Sequence, residues 1–584
     1  MKKILLLFLL LTVVSFAQSP IEKTSVILKE KLSSSSGDSK LLIWVFFTDK
    51  GNNLNKYYST PQNVVSPLSL KRRAKTHDKS SLVDFSDLQE NNEYITGLQS
   101  LGFELNQRSR WFNGVSGYIT KKSYNNILSL PYVKYTDIVS LFKKSVEIKE
   151  AGGDLNINNP VARPAGVNAL NYGASLVQNQ QINIPALHNL GFSGQGVTVC
   201  MMDAGVSLLS HQAFDSMHII ATYDFVNHRT YIGDDSGGMG EGSHGTMTLS
   251  TIGGYVPGQL IGPAYSANFL VTKTENTDSE TPVEEDNWVA AMEWADSIGV
   301  DVTSTSLGYL AFDPPYTSLT WQNMDGHTAI ITLGALEAAR KGIVVVNSAG
   351  NSASDGTPNT LIAPADADSI ITVGAVSGSG IRTSFSSYGN TVDHRIKPDV
   401  MAMGSGVYVA DPSVLSGNAY TSASGTSFSC PLTAGACAVI LSYNPNLTNM
   451  QIRDALRNTA SRHLAPDSLY GWGIINALAA ANYFPLTSVL SVKTINPDNF
   501  ILYQNYPNPF NPSTTIKYFI PVDSQVKIVL FNILGNELKT LFNGNVTAGD
   551  HELELSASGL ASGVYFVKVI AGGFQKTIKI TLTK

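Results

Sequence analysis

The chain has 584 residues, 43% of them hydrophobic and 15% charged, with a formal net charge of −6. That length gives core enough for about three to four domain-sized units, and the mild acidity supplies no electrostatic ground for binding nucleic acid. Three cysteines are too few for a disulfide framework. Cys430 and Cys437 lie about 10 Å apart along a predicted helix, too far to pair, and with Cys200 they read as small core residues.

In chain order, Lys2 and Lys3 precede the apolar run Ile4–Leu11, and Ser15-Phe16-Ala17 offers small residues at a cleavage point before Gln18. This predicts a secretory signal over 1–17, too short for a bilayer span; no other stretch reads as a span. Residues 18–171 read as a small α+β unit and its linker. Strands are expected at Leu41–Phe47, Val115–Ile119 and Val133–Val139, with a helix over Tyr94–Leu101 and a basic run at Lys71-Arg72-Arg73. Lys149–Asn171, rich in Gly, Asn and Pro, reads as a linker and processing site.

From 172 to 483 apolar strands alternate with helices. Strands are expected at Val197–Met202, Phe269–Lys273, Val300–Ser306, Ile343–Asn347 and Ile370–Val376. Helices are expected at Trp288–Ile298, with Trp288, Ala291, Met292 and Ala295 on one face, and at Ala329–Lys341, closed by Gly342. Met450–Ala460 and Ile474–Ala480 follow. The stretch Thr426–Tyr443 predicts a helix apolar nearly all round, with Pro431 in its first turn. Strands hydrophobic throughout, separated by helices, imply an α/β body, a doubly wound parallel sheet with helices on both faces. Its site is expected beyond the strands' carboxyl ends. Residues 484–500 read as a linker. Residues 501–584 read as a small all-β sandwich, with strands at Thr515–Phe519, Gln525–Phe531, His551–Leu555, Gly563–Ile570 and Gln575–Leu582.

Three stretches carry chemistry. Asp203 follows an apolar strand and precedes Ala204-Gly205; His244 stands between Ser243 and Gly245-Thr246; Ser427 follows Gly425-Thr426 at the start of the apolar helix. Singly, each reads as well as a turn or cap residue. Together, Asp, His and Ser in that order, each at an element end beside glycine, form an acyl-transfer constellation. Asn351, behind Ser348-Ala349-Gly350, adds an amide N–H for a developing oxyanion, as does the Ser427 backbone.

With Ser306-Leu307-Gly308, Arg395-Ile396-Lys397-Pro398-Asp399-Val400 and Tyr470-Gly471-Trp472-Gly473, these motifs make residues 172–483 resemble the catalytic domain of the subtilisin-like serine proteases. The resemblance implies a secreted endopeptidase made as a zymogen. In it Ser427 is nucleophile, His244 general base and acid, Asp203 the imidazole's orienter, and Asn351 an oxyanion donor. Ser306, Leu307 and Gly308, with Ser348, Ala349 and Gly350, are expected to bind substrate, the first three as an added strand. Ala204 stands where relatives carry Thr or Ser, and Phe428 where many carry an oxidisable Met. Ile362, before Ala363-Pro364, aligns loosely with the base of the first pocket, where it would favour medium apolar side chains; it reads equally well as a surface-loop aliphatic. The chain between Gly308 and Asn351 is longer than in compact relatives, adding Pro314-Pro315-Tyr316 and Met324-Asp325-Gly326. The acidic run Glu280, Glu284, Glu285 and Asp286, near the region of the outer pockets, reads first as a solvated face, with attraction of basic substrate residues as the alternative.

Residues 18–171 resemble a protease propeptide, which implies an intramolecular inhibitor that assists folding. Gln504-Asn505-Tyr506-Pro507-Asn508-Pro509-Phe510-Asn511-Pro512, with Ile533-Leu534-Gly535, Gly559-Leu560, Gly563-Val564-Tyr565 and Lys584, resembles the sorting domain of type IX secretion cargo. That implies handling by the secretion machinery, export through the periplasm and outer membrane, and release or surface attachment. No cofactor is required. Relatives often bind calcium for stability, and a structural calcium stays open here, but no dense carboxylate loop has ligand spacing; Asp234-Asp235 and Asp366 with Asp368 are weak candidates that read more readily as turn residues. Two rival readings are a silent scaffold of the same fold, against which the intact triad and Asn351 speak, and an esterase. The Gly-Thr-Ser setting and the Asp-before-His order speak against the esterase.

Overall fold

The structure, a computed structural model, describes residues 23–51, 54–78, 80–139, 168–278, 283–310, 318–414, 417–485, 501–505, 507–520, 523–533, 535–571 and 574–583. The signal segment 1–17, Glu280, Pro314-Pro315-Tyr316 and most of both linkers lie outside these residues. The chain divides into two compact units, Met1–Leu486 and Thr487–Lys584.

Within the first unit, residues 23–139 build a four-stranded antiparallel sheet in the order Glu104–Ser109, Gly114–Thr120, Lys40–Phe47, Val133–Ile138. The strand Lys40–Phe47 is apolar at almost every position because both its faces are covered. Leu41, Ile43, Val45 and Phe47 enter the core under Leu98 and Ile127. Leu42 and Trp44 point the other way and pack with Val139 and Val283 of the following body. Successive strand residues face opposite sides, so one run of sequence supplies both cores.

That body carries seven parallel strands: β1 (Thr198–Asp203), β2 (His218–Asp224), β3 (Asn268–Lys273), β4 (Val302–Thr305), β5 (Val344–Ser348), β6 (Ile371–Val376) and β7 (Val400–Met403). Their order is β7-β6-β5-β4-β1-β3-β2. The helices that position the site are α1 (Ser243–Gly253), α2 (Val283–Ile298), α3 (Ile330–Arg340) and α4 (Thr426–Tyr443). Trp288, Ala291, Met292 and Ala295 of α2 do share one core with α3. Gly342 follows α3 with φ +86°, the left-handed conformation expected of a closing glycine. Among the described residues α4 is the helix long and apolar enough to cross a membrane, and 89% of it is buried in the body's core. The three cysteines are free and buried.

Two expectations fail here. Pro431 lies six residues into α4 rather than in its first turn. The missing N–H leaves the Ser427 carbonyl without its helical donor, and Ser306 Oγ donates to that carbonyl at 2.8 Å instead. The last helix starts at Ala477, not Ile474. Ile474 bridges Met401 of β7 in parallel, through hydrogen bonds from Met401 N to the Gly473 carbonyl and from Ile475 N to the Met401 carbonyl, so this apolar stretch serves a strand-like contact.

The second unit has a three-stranded sheet (Ile501–Leu502, Ser513–Ile520, Gly549–Ser556) and a four-stranded one (Glu537–Val546, Ser524–Phe531, Gly563–Ala571, Phe574–Leu582). Phe510, Ile516, Ile528, Val567 and Ile580 lie in the shared core. Glu537–Val546 escaped the sequence reading, being an edge strand whose first four residues are all exposed.

Candidate active site

Asp203 is the last residue of β1 and is fully buried. Its Oδ1 accepts from His244 Nδ1 at 2.7 Å and from the Ala204 N–H at 2.8 Å; its Oδ2 accepts from Thr248 Oγ1 at 2.9 Å. The carboxylate fixes the imidazole with Nδ1 as donor, which leaves Nε2 as the free base. His244 stands in the first turn of α1, and Thr248 is one turn on, on the same face. Gly245 allows this closeness: a Cβ there would meet the Gly205 carbonyl at 1.8 Å. The motifs Asp203-Ala204-Gly205 and His244-Gly245 are thus two sides of one contact.

Ser427 is the second residue of α4, where its N–H has no helical partner. Its Oγ donates to the Ser306 carbonyl at 3.3 Å, and His244 Nε2 is buried without a hydrogen bond. The serine-to-imidazole bond is therefore not formed in this state, as is common in unliganded sites. Asn351 lies just past β5. Its Oδ1 accepts from Thr426 N and Thr426 Oγ1, both at 3.0 Å, which leaves Nδ2 as donor. A Cβ placed on Gly425, at φ +153°, would be 3.6 Å from Asn351 Nδ2 and 3.7 Å from Ser427 Oγ. The amide and the hydroxyl thus flank one point. Phe428, buried, has its ring 6.1 Å from that of His244.

A family model described as "Subtilase family" matches residues 194–473. Subtilisin NAT of Bacillus subtilis subsp. natto is 35% identical over 302 residues, which span 52% of this chain and 70% of that protein. Subtilisin DY of Bacillus licheniformis is 34% identical over 310 residues, 53% of this chain and 98% of that protein. The chain belongs to the subtilase family. As a subtilase it is a serine endopeptidase. Two further family models match: "Peptidase S8 propeptide domain, Bacteroidota" over 42–154 and "Secretion system C-terminal sorting domain" over 504–583. A subtilase with that tail is exported, to the medium or to the cell surface.

Among the predicted substrate-binding residues, Ser306, Leu307 and Gly308 continue beyond β4, and Ser348, Ala349 and Gly350 close β5. Ile362 is buried between them. Its side chain stands 2.6 Å from where a Cβ would sit on Gly308 and 3.1 Å from one on Gly350. Thr248 and Thr426 were not singled out from sequence; hydroxyls one turn after His244 and one residue before Ser427 were the available signal. Asp234 accepts from the Gly242 N–H, Asp235 pairs with Arg229, and Asp366 accepts from Gly326 N and Thr332 Oγ1.

The acidic run is not a solvated face. Glu284, Glu285 and Asp286 occupy the first turn of α2 and are buried: the sheet of residues 23–139 lies against that helix and faces Asp286 with Trp44 and Ser116, while Asp366 and Tyr309 of the body face Glu285 and Glu284. Burial holds the Glu285 carboxyl well above its usual range and pushes Asp286 up to about 8.

Proposed function

We propose that this subtilase cleaves peptide bonds through an Asp203-His244-Ser427 triad and an acyl-enzyme. The observation that carries the proposal is the 2.7 Å bond from His244 Nδ1 to a buried carboxylate, with Nε2 left free and the ring 6.1 Å from that of Phe428, the residue after Ser427. On substrate binding Ser427 Oγ attacks the scissile carbonyl carbon while His244 Nε2 takes its proton. Asp203 stabilises the imidazolium and keeps its ring orientation. The oxyanion accepts from Asn351 Nδ2 and the Ser427 N–H; loss of one such donor lowers kcat by about 10²–10³. His244 then protonates the leaving amine, the peptide bond breaks, and the acyl group stays on Ser427. A water deprotonated by His244 hydrolyses the ester and restores the serine. Residues 23–139 act as an intramolecular inhibitor until cleaved, and residues 504–583 engage the secretion machinery.

The substrate strand adds to 306–308, with its first side chain entering the space between 308 and 350. Ile362 closes that space, so small to medium apolar side chains suit it and large aromatic ones do not. The variant Ile362→Gly is expected to raise kcat/KM for Phe relative to Ala substrates by at least tenfold, read on matched peptide anilides; an unchanged ratio contradicts this assignment.

The test of the mechanism compares wild type with Ser427→Ala by intact mass and casein digestion. Wild type is expected to shed its N-terminal segment and digest casein, and the variant to be inert; the corresponding loss in subtilisin is about 2 × 10⁶ in kcat. Equal digestion by both proteins contradicts the mechanism.

A further inference from the structure

Helix α2 carries five buried carboxylates, at Glu284, Glu285, Asp286, Glu293 and Asp296. Many of the groups that meet them belong to residues 23–139. Trp44 and Ser116 of that sheet face the Asp286 carboxyl, yet neither of its oxygens has a fully formed hydrogen bond. Glu293 accepts from Ser109 Oγ at 2.6 Å and from the Arg110 N–H at 3.0 Å, with the Arg110 guanidinium 3.5 Å away. Lys50 and Glu90 also face it, with opposite signs. Asp296 pairs with Arg72, with Arg73 at 2.7 Å and with Arg110 at 3.4 Å. From the body itself, Asp366 faces Glu285, and Lys341 faces Asp296 while pairing with Asp87. Asp301 faces Arg72, and Glu275 and Tyr309 lie near Glu284 and Glu285.

We propose that these α2 carboxylates make retention of residues 23–139 on the catalytic body depend on protons: the severed N-terminal domain stays bound in mildly acidic medium and is released as the medium turns alkaline. This rests on the reading above that the domain is severed in the mature enzyme. A carboxyl under a protein lid with no formed hydrogen bond is more stable neutral than charged. Once the lid leaves, it meets water and returns toward the ordinary range near 4. Burial pushes Asp286 up to about 8 and Glu293 up to about 7 in the bound state. Both raised groups therefore contribute to binding in full below about pH 4, and that contribution is lost as pH rises through about 7 to 8. Asp296 has the opposite sign. Although burial alone would raise it, Arg72, Arg73 and Arg110 together hold its carboxyl below the usual range, so its contribution is lost in acid. Retention is strongest near pH 4 and weakens steadily above it.

The test uses the full chain as Ser427→Ala, with a site-specific protease sequence inserted near residue 155, so that the nick does not depend on the chain's own activity. After nicking, the affinity of the N-terminal segment is measured at pH 6.0 and 8.5. The Kd is expected to rise several hundredfold over that interval, about 80-fold through Asp286 and about tenfold through Glu293. In Asp286→Asn, whose side chain keeps its shape but cannot ionise, the rise is expected to shrink to about tenfold, the share left to Glu293. A wild-type change under threefold, or an undiminished rise in Asp286→Asn, overturns the proposal. Calorimetry at pH 7 in two buffers of different ionisation enthalpy needs no interface variant: uptake of about one proton on binding supports the latch, and no uptake overturns it. Failure of the protease mechanism would appear instead as casein digestion by Ser427→Ala, with these affinities unaffected.

Discussion

The catalytic cluster and the α2 cluster are both buried, acidic and parts of the same body, but their partners come from different places. Asp203 is met by Ala204, His244 and Thr248, all within the body, so its environment survives departure of the N-terminal domain. Asp286 and Asp296 are met by Trp44, Ser116, Arg72, Arg73 and Arg110, all in the segment that departs. Burial alone thus does not fix what a carboxylate does. A donor set that stays gives a preorganised site, whereas a donor set that leaves couples protonation to association.

The comparison is broken most severely at Asp203. Asp203→Asn keeps the shape but presents the wrong imidazole tautomer, and kcat is expected to fall about 10⁴-fold with melting temperature little changed. A kcat within tenfold of wild type would detach Asp203 from the mechanism. The next largest effect is expected at Asp296→Asn, which leaves the buried Arg72 guanidinium without its carboxylate, while Arg73 keeps Asp87 and Arg110 keeps Glu293. Docking of the N-terminal domain should weaken by about 3 kcal/mol, or a hundredfold and more, while kcat of the matured enzyme stays at the wild-type value. Thr248→Val sharpens the contrast, since it removes one neutral donor from the catalytic carboxylate. It is expected to lower kcat about tenfold with KM unchanged, and Thr248→Ser should restore most of the loss. Smallest of all is the effect of mild peroxide. Phe428 beside His244 offers no sulfur, and the neighbouring Met201 and Met247 are buried. Activity should persist; rapid inactivation would show that another oxidisable group governs the site.

Much of the body was legible because its signals are local. The strand before Asp203, the small residues around His244 and the apolar helix after Ser427 each carry their own pattern. Misreadings arose where an apolar or charged run serves a distant partner. Ile474 and Ile475 are apolar because they pair with Met401. Glu284, Glu285 and Asp286 look like a solvated charge run because nothing near them in sequence announces the covering sheet. Lys71-Arg72-Arg73 likewise reads as a basic run, yet Arg72 and Arg73 are buried ion-pair partners of Asp296, more than two hundred residues away. Thr248 and Thr426 escaped because a threonine in a helix turn has no pattern of its own. Only the hydrogen bonds to Asp203 and Asn351 distinguish them.

The central claim is that Ser427 is the attacking group, and covalent labelling tests it most directly. Wild-type protein treated with phenylmethylsulfonyl fluoride should gain one sulfonyl group, mapped by mass spectrometry to the peptide containing Ser427, with casein digestion falling in step with labelling. Digestion that survives complete labelling, or a label carried by a different residue at full loss of activity, would contradict it.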